Sequence, residues 1–238
     1  MFRVGGVMVE RIVGEWKHVF KLDPDKEIGD EALDALCTSG TDAILVGGSS
    51  GVTYDNTVDL LSRLRRYELP CALEVTTLDM VVPGFDVYLA PIALNAGELD
   101  YVVGHHVEAL RRYGKLLPKE GTIAAEGYVI ANPDCEAARV AGAKPVDAED
   151  IVAYARFADR LLRLPIVYIE YSGTFGDMEA VAKARAALTG GARLFYGGGI
   201  DGAEKAEAAA RAADTIVVGN IIYQSLPRAL DTVRVVQS

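Results

Sequence analysis

Two kinds of hydrophobic pattern alternate along the chain. Short apolar runs rich in β-branched residues are typical of buried strands, and longer stretches with apolar positions every three to four residues are typical of amphipathic helices. The eight predicted strands span residues 18–22, 43–47, 71–75, 87–91, 122–131, 166–171, 193–197 and 215–219. The predicted helices span 29–39, 56–67, 100–113, 147–162, 177–188, 204–212 and 226–236.

One crossover departs from this alternation. The connection between the third and fourth strands, TTLDMVVPGFD at 76–86, is short and contains Pro83 and Gly84. Because proline and glycine interrupt helices, we expect a loop or an extra strand there instead of a helix.

Eight strands joined by helical crossovers predict parallel pairing, in either a closed barrel or a doubly wound sheet. Eight units within 238 residues favour a single α/β domain, a (β/α)8 TIM barrel. We expect residues 1–14 to form a loosely ordered extension, and no linker indicates a second domain.

Composition narrows the function. A net charge of −10 argues against nucleic acid as a partner. The sequence shows no run of about 18 apolar residues, which argues against a transmembrane segment or signal peptide, so we expect a cytoplasmic protein. The three cysteines lack metal-type spacing, so reduced thiols are expected.

Glycine and polar residues gather where the predicted strands end. In barrels, phosphate commonly binds at the loops after strands seven and eight, where glycines expose backbone N–H groups. Two such turns follow the last strands, and a third follows strand six, which predicts a phosphate site at Ser172, Gly173, Gly198, Gly199, Gly219 and Asn220. The alternative is that these are ordinary tight turns.

Charged residues at the same rim suggest chemistry. Lys21 and Asp23 lie on one side of the first strand's end, where a lysine can neutralise phosphate and an aspartate can hold Mg²⁺. A simple ion pair is the alternative. Glu170, on strand six, could accept a proton from a bound hydroxyl, or it could merely organise the loop. Glu126, Asn132 and Asp134 are weaker candidates, and no histidine is expected to be catalytic.

Several segments together resemble the group I prenylglyceryl phosphate synthases. They are WKHVFKLDP at 16–24, GTDA at 40–43, GGS at 47–49, EGY at 126–128, NPD at 132–134, YIEYSG at 168–173, FYGGGI at 195–200 and VGN at 218–220. The resemblance runs from about residue 15 to the C-terminus. This family contains archaeal geranylgeranyl enzymes and bacterial heptaprenyl enzymes, the PcrB proteins.

The resemblance implies a magnesium-dependent prenyltransferase of lipid biosynthesis. In this reaction the 3-hydroxyl of sn-glycerol 1-phosphate attacks C1 of a polyprenyl diphosphate, and diphosphate leaves. The implied metal ligands are Asp23 and Ser49, and the implied catalytic residue is Glu170. The expected glycerol 1-phosphate site comprises Lys21, Tyr168, Glu170, Tyr171, Ser172, Gly173, Gly198, Gly199, Gly219 and Asn220.

The length of the prenyl chain is predicted from one position. In the resembling family a Trp on the helix after strand four stops a twenty-carbon chain, and Ala109 stands at that place here. An alanine removes the obstacle, so thirty-five-carbon heptaprenyl diphosphate is the preferred substrate. The alternative is that Ala109 only favours the helix and that the product is the geranylgeranyl lipid.

Two further hypotheses remain open at this point. Another phosphate-binding barrel enzyme, such as a sugar-phosphate isomerase, predicts a second acid/base group opposite Glu170 and no prenyl groove. A non-enzymatic binding module predicts that Lys21, Asp23 and Glu170 are dispensable. The resemblance also implies a homodimer, and the lipid substrate implies transient contact with membrane lipid.

Overall fold

A closed barrel of eight parallel strands forms the centre of the molecule, as predicted. The computed structural model describes residues 13–48, 50–76, 81–114 and 122–237. Each strand pairs with its neighbours in chain order, and β8 closes on β1. The strands are β1 (His18–Leu22), β2 (Ala43–Val46), β3 (Cys71–Glu74), β4 (Val87–Ala93), β5 (Ile123–Ile130), β6 (Ile166–Glu170), β7 (Arg193–Gly197) and β8 (Thr215–Val218).

Helices cover the outside of this barrel. In the described ranges they are α1 (Asp30–Cys37), α2 (Tyr54–Leu64), α3 (Gly104–Tyr113), α4 (Glu136–Ala141), α5 (Ala148–Arg156), α6 (Met178–Ala187), α7 (Ala203–Ala212), α8 (Ile221–Gln224) and α9 (Leu226–Gln237). Side-chain caps fix several starts. Asp147, for example, accepts hydrogen bonds from the backbone N–H groups of Glu149 and Asp150 before α5.

The inward-facing positions of the strands change character along the barrel. Toward the N-terminal ends they are apolar, as at Val19, Ala72, Ala124 and Ile166, all of them buried in one interior cluster. Because side chains alternate along a strand, the residues two positions further on also face inward. Those residues are Lys21, Glu74, Glu126 and Tyr168. The barrel interior therefore has a layer with charged side chains next to an apolar layer, which lies closer to the N-terminal ends of the strands.

The helix predictions were incomplete in four places. The short helices α4 and α8 were not predicted. The predicted helix 100–113 is divided into a 3₁₀ turn, Leu99–Tyr101, and α3. The predicted helix 147–162 changes after α5 into a π-helical segment, Phe157–Leu162. In the β3–β4 connection the described residues, 75–76 and 81–86, contain no helix, as expected. Most of the predicted N-terminal extension, residues 1–12, lies outside the described residues.

The first strand and the last helix are tied together by a buried histidine. The two ring nitrogens of His18 each lie 2.9 Å from a hydroxyl oxygen, one of Thr41 and the other of Thr232 in α9. Burial lowers the pKa of His18 to about 4, against a weaker opposing effect of Asp42. The ring is therefore neutral near pH 7 and serves the closure of the barrel instead of the site.

Candidate active site

A cavity of about 600 Å³ opens at the C-terminal ends of the strands. We call it the polar cavity. Predicted residues at the ends of strands one, six, seven and eight lie together in its wall. The predicted residues that line it are Lys21, Asp23, Tyr168, Glu170, Ser172, Gly173, Gly198, Gly199, Gly219 and Asn220.

The turn after β7 requires glycine at two successive positions. Gly198 has φ +143°, and a Cβ there would lie 2.5 Å from the backbone carbonyl carbon of Tyr171. Gly199 has φ +58°, and a Cβ there would collide with the backbone of Thr174 and Phe175. The loops after β6 and β7 are thus packed backbone to backbone, and both contribute to the cavity wall.

Asp23 lies at the rim of the polar cavity beside residues that the sequence did not single out. Its backbone N–H donates to the hydroxyl of Tyr223 at 2.9 Å, and its carboxylate is 4.0 Å from the ammonium of Lys26. Lys26 also donates to the side-chain oxygen of Asn220 at 3.1 Å. The end of β1 is therefore fixed against the start of α8, and it presents a carboxylate and an ammonium together.

Lys21 is held inside the barrel by an acid that we did not predict. Its ammonium lies 2.6 Å from Glu74 Oε2 and 5.9 Å from the centre of the Tyr168 ring. Burial acts to lower the pKa of Lys21, but the charges of Glu74 and Glu170, together with the hydrogen bond to Glu74, outweigh it and raise the pKa. The lysine is therefore charged near pH 7, and it lines the polar cavity.

Glu170 is buried, with 5% of its surface exposed, at the C-terminal end of β6. The hydroxyl of Tyr128 donates to Glu170 Oε2 at 2.7 Å. The ring of Tyr128 stacks on that of Tyr168 with 4.7 Å between centres. Burial, together with the carboxylates of Glu170 and Glu74, raises the pKa of both phenols well above the ordinary value. Tyr128 is thus a neutral donor that orients the carboxylate.

Glu126 is the most unusual member of the barrel interior. It is fully buried, and neither of its carboxyl oxygens finds a hydrogen-bond partner in the part of the chain that the structure describes. Burial, with Glu74 and Glu170 nearby, raises its pKa well above the ordinary value, and Lys21 opposes this only partly. We refer to Lys21, Glu74, Glu126 and Glu170 as the charged layer.

A second cavity of about 350 Å³ adjoins the first, and we call it the apolar cavity. Lys21, Glu170 and Ser172 line both cavities, so the two meet at the catalytic candidate. The wall of the second cavity is mainly apolar and comes from β4, β5, α3 and α4. Ala109 lies in this wall, which places the predicted chain-length position on a groove that starts at Glu170.

The outer side of α3 exposes apolar side chains to solvent. None of the residues of α3, which is described throughout, is fully buried. Val103, Val107 and Leu110 are 47%, 57% and 58% exposed, and their spacing places them on one face. We call these three residues the apolar stripe. Large exposed apolar side chains arranged in a row are characteristic of a contact surface.

The donor set suits a magnesium ion held jointly by protein and substrate. The described ranges contain no group of three His, Cys, Asp or Glu side chains placed to hold a metal by themselves. Mg²⁺ commonly binds through one or two carboxylates together with substrate phosphates. Asp23, a carboxylate at the rim of the polar cavity, fits that arrangement. The other predicted ligand, Ser49, lies outside the described residues.

One predicted site residue stands apart from the others. Tyr171 is not part of the wall of either cavity; its ring packs against Gly176 and lies 6.2 Å from that of Tyr196. Its contribution is therefore to the loop that carries Ser172. Sequence reasoning also missed Glu74, although a lone acid at the end of the apolar run CALEV is a signal that could have identified it.

In the ranges that the structure covers, no helix has the length and apolar character needed to cross a membrane.

Comparison with known proteins agrees with the geometry. The family model described as the PcrB family matches residues 11–237. A heptaprenylglyceryl phosphate synthase of Geobacillus kaustophilus is 54% identical over 223 residues, which cover 93% of this chain and 92% of that protein. The heptaprenylglyceryl phosphate synthase of Bacillus subtilis is 53% identical over 226 residues, 94% of this chain and 98% of that protein.

A solved structure has the same architecture. It is the (S)-3-O-geranylgeranylglyceryl phosphate synthase of Thermoplasma acidophilum in complex with its substrate sn-glycerol-1-phosphate. Its TM-score is 0.81 at 27% identity, over 100% of this chain and 98% of that one.

Proposed function

Because the chain belongs to the PcrB family, we propose that it is a prenyltransferase that joins sn-glycerol 1-phosphate to heptaprenyl diphosphate. The products are 3-heptaprenyl-sn-glycerol 1-phosphate and diphosphate. The observation that carries the proposal is the junction of a polar and an apolar cavity at Glu170. An enzyme that joins a small phosphate ester to a lipid needs two such compartments with the reacting atoms between them.

The polar cavity accounts for glycerol phosphate. We propose that the phosphate binds the loops at Ser172, Gly173, Gly199 and Gly219, where glycines allow close approach of backbone N–H groups. These neutral donors explain how a chain with a net charge of −10 can hold an anion. Lys21 supplies a positive charge from the cavity wall. The glycerol hydroxyls then lie toward Glu170.

The chemistry requires removal of one proton. The oxygen of the glycerol 3-hydroxyl forms a bond to C1 of the prenyl chain, and the bond between C1 and the diphosphate oxygen breaks with its electron pair. Glu170 accepts the hydroxyl proton, and Tyr128 holds the accepting carboxylate in place. The rings of Tyr168 and Tyr128 give C1 an aromatic wall as positive charge develops.

We propose that Mg²⁺ assists, with Asp23 and Ser49 as its protein ligands. When bound, the ion neutralises charge on the diphosphate. Lys26, 4.0 Å from the Asp23 carboxylate, lies where it can contact the same anion.

The apolar cavity receives the prenyl chain. A volume of about 350 Å³ lies at the small end of ligand pockets, which span about 300–1,000 Å³. A thirty-five-carbon tail exceeds that space, so it must continue past Ala109 along α3. A bulky side chain at position 109 would close this route. The open route favours heptaprenyl diphosphate over the geranylgeranyl substrate.

We further propose that the enzyme works in the cytoplasm as a homodimer and contacts membrane lipid transiently. The apolar stripe lies on the helix that borders the prenyl groove, and a lipid with a long tail resides in a bilayer. The stripe, which lies outside the cavity wall, provides an apolar face for this contact with the bilayer.

The direct test is incubation with sn-glycerol 1-phosphate, Mg²⁺ and prenyl diphosphates of several lengths, with products identified by mass spectrometry. We expect the heptaprenyl ether as the main product, and no product without Mg²⁺. Glu170→Gln should lower kcat by about 10²–10⁴-fold, since Gln cannot accept the proton. Absence of any prenyl ether, or full activity of Glu170→Gln, would refute the proposal.

A further inference from the structure

The charged layer contains more acid than its single base can neutralise. Three carboxylates, of Glu74, Glu126 and Glu170, surround one ammonium, of Lys21, in an interior closed below by apolar side chains. Lys21 is already paired with Glu74 at 2.6 Å, and Glu170 accepts a hydrogen bond from Tyr128. Only Glu126 has no pairing group among the described residues for either oxygen.

We propose that Glu126 is kept as a neutral carboxylic acid beneath the active site, behind the residues that line the two cavities, where it acts as a positioning residue. The functional part of this inference rests on the proposed reaction. An ionised Glu126 would compete with Glu74 for Lys21 and would add a negative charge beneath two anionic substrates. As a neutral acid it leaves Lys21 aligned by Glu74 alone.

The surroundings of Glu126 support a neutral group. The charged or titratable side chains that act on it are Glu74 on β3, Lys21 on β1 and Glu170 on β6, together with the Tyr168 phenol on β6. On the other neighbouring strand, β4, the residue in register is Pro91, and Val87–Ala93 contains no charged side chain. Ionisation in this place would bury a charge without a partner, which is strongly unfavourable.

Infrared spectroscopy of the purified protein tests the protonation state directly. Near pH 7 the exposed acids are carboxylates, so the C=O stretch of a neutral carboxylic acid should be visible and should disappear in Glu126→Gln. The same stretch should remain in Glu207→Gln, whose acid is exposed and paired with Arg211 on α7. A spectrum without that stretch, or one in which it survives Glu126→Gln, would overturn the proposal.

Thermal unfolding supplies a second readout that needs no substrate. The unfolded chain loses the Glu126 proton above about pH 4.5, while the folded protein retains it up to its raised pKa. Between these two pKa values the stability of the wild type therefore falls as pH rises. Glu126→Gln has no such proton, so this decrease in stability is absent from the variant. Its Tm should exceed that of the wild type at about pH 8 and approach it at about pH 5. Glu74→Gln, which breaks the pair with Lys21, should lower Tm at both values. A lower Tm for Glu126→Gln at about pH 8 would contradict a neutral acid.

The kinetic arm tests the role in the reaction. Above the pKa of Glu126 the fraction of protein with a neutral Glu126 falls about tenfold per pH unit. In the wild type, kcat/KM for glycerol 1-phosphate should therefore decrease with pH on the alkaline side of the pH–rate profile. In Glu126→Gln this alkaline decrease should be absent. If the infrared and thermal results hold but the alkaline decrease is unchanged in the variant, the positioning role is wrong. If no prenyl ether forms at all, the proposed function fails while the neutral acid stands.

Discussion

Asp23, the proposed metal ligand, is a side chain that lies outside the core. Its side chain is 23% exposed at the cavity rim, and its fixed contact with Tyr223 is made through the backbone N–H. Removing the carboxylate leaves this hydrogen bond in place and costs only the exposed one that the carboxylate accepts from the backbone N–H of Asp25 at 3.1 Å.

We predict that Asp23→Ala lowers turnover severely with little effect on folding. Loss of a metal ligand that stabilises the leaving diphosphate should cost about 3 kcal/mol of transition-state stabilisation, or about 100-fold in kcat. The free energy of unfolding should change by less than about 1 kcal/mol. Steady-state kinetics and urea unfolding measure the two effects. Asp25→Ala, two residues along and outside the cavity wall, is the control, and normal turnover in Asp23→Ala would exclude the metal role.

Ala109 carries the prediction of chain length. Ala109→Trp should fill the apolar cavity and shift the products toward shorter prenyl chains, as seen by mass spectrometry with mixed diphosphates. Val107→Trp adds the same ring to the exposed face of the same helix and should leave the product length as it is. An identical product distribution for the two variants would place the length limit elsewhere.

At the scale of elements, glycines in the βα turns determine how closely neighbouring loops approach. Gly199→Ala forces a left-handed backbone on alanine and drives its Cβ into the loop after β6. We predict destabilisation by about 2–4 kcal/mol and weaker binding of glycerol phosphate. Urea unfolding measures the change in stability, and calorimetric titration measures the binding of glycerol phosphate. For stability, Gly219→Ala is the matched control, because its Cβ would meet nothing closer than 3.7 Å; equal stability of the two variants would be inconsistent with this packing.

The elements themselves were largely predictable because their patterns are local. All eight strands were located, two of them, β1 and β7, with the observed bounds. Helices α4 and α8 were missed because six and four residues are too few to establish a helical period. The π-helical continuation of α5 was read as regular helix, since the two share an apolar pattern over one turn.

The residues of the site were predictable only where they form a local sequence pattern. Glycine-rich turns and polar strand ends identified the wall of the polar cavity. Glu74 escaped because its partner, Lys21, lies 53 residues away in sequence, and only closure of the barrel brings them together. Whether a side chain at a strand end faces the cavity also depends on the register of the strands, which the sequence does not show. Tyr171 was therefore grouped with Ser172, although only Ser172 lines the polar cavity.

For the molecule as a whole, acid stability should depend on His18. Its folded-state pKa, about 4, lies below the unfolded value of about 6.5, so its stabilising effect is complete above pH 6.5 and is lost as pH falls toward 4. The loss amounts to at most about 3 kcal/mol. We predict that His18→Gln is less stable than the wild type at neutral pH and that the gap narrows in acid.

Urea unfolding at several pH values tests this prediction. His105→Gln, at an exposed position on α3, should retain the wild-type profile. A gap between His18→Gln and the wild type that stays constant with pH would show that protonation of His18 plays no part in acid unfolding.

The wall shared by the two cavities has a consequence for the end of the catalytic cycle. In the proposed binding mode the product is an amphiphile whose head and tail occupy different cavities at once, so neither part departs without the other. Escape must break the contacts of the phosphate and of the hydrocarbon in one event. A nearby bilayer that accepts the tail would speed product release. The turnover rate would then depend on the membrane surface where the product is needed.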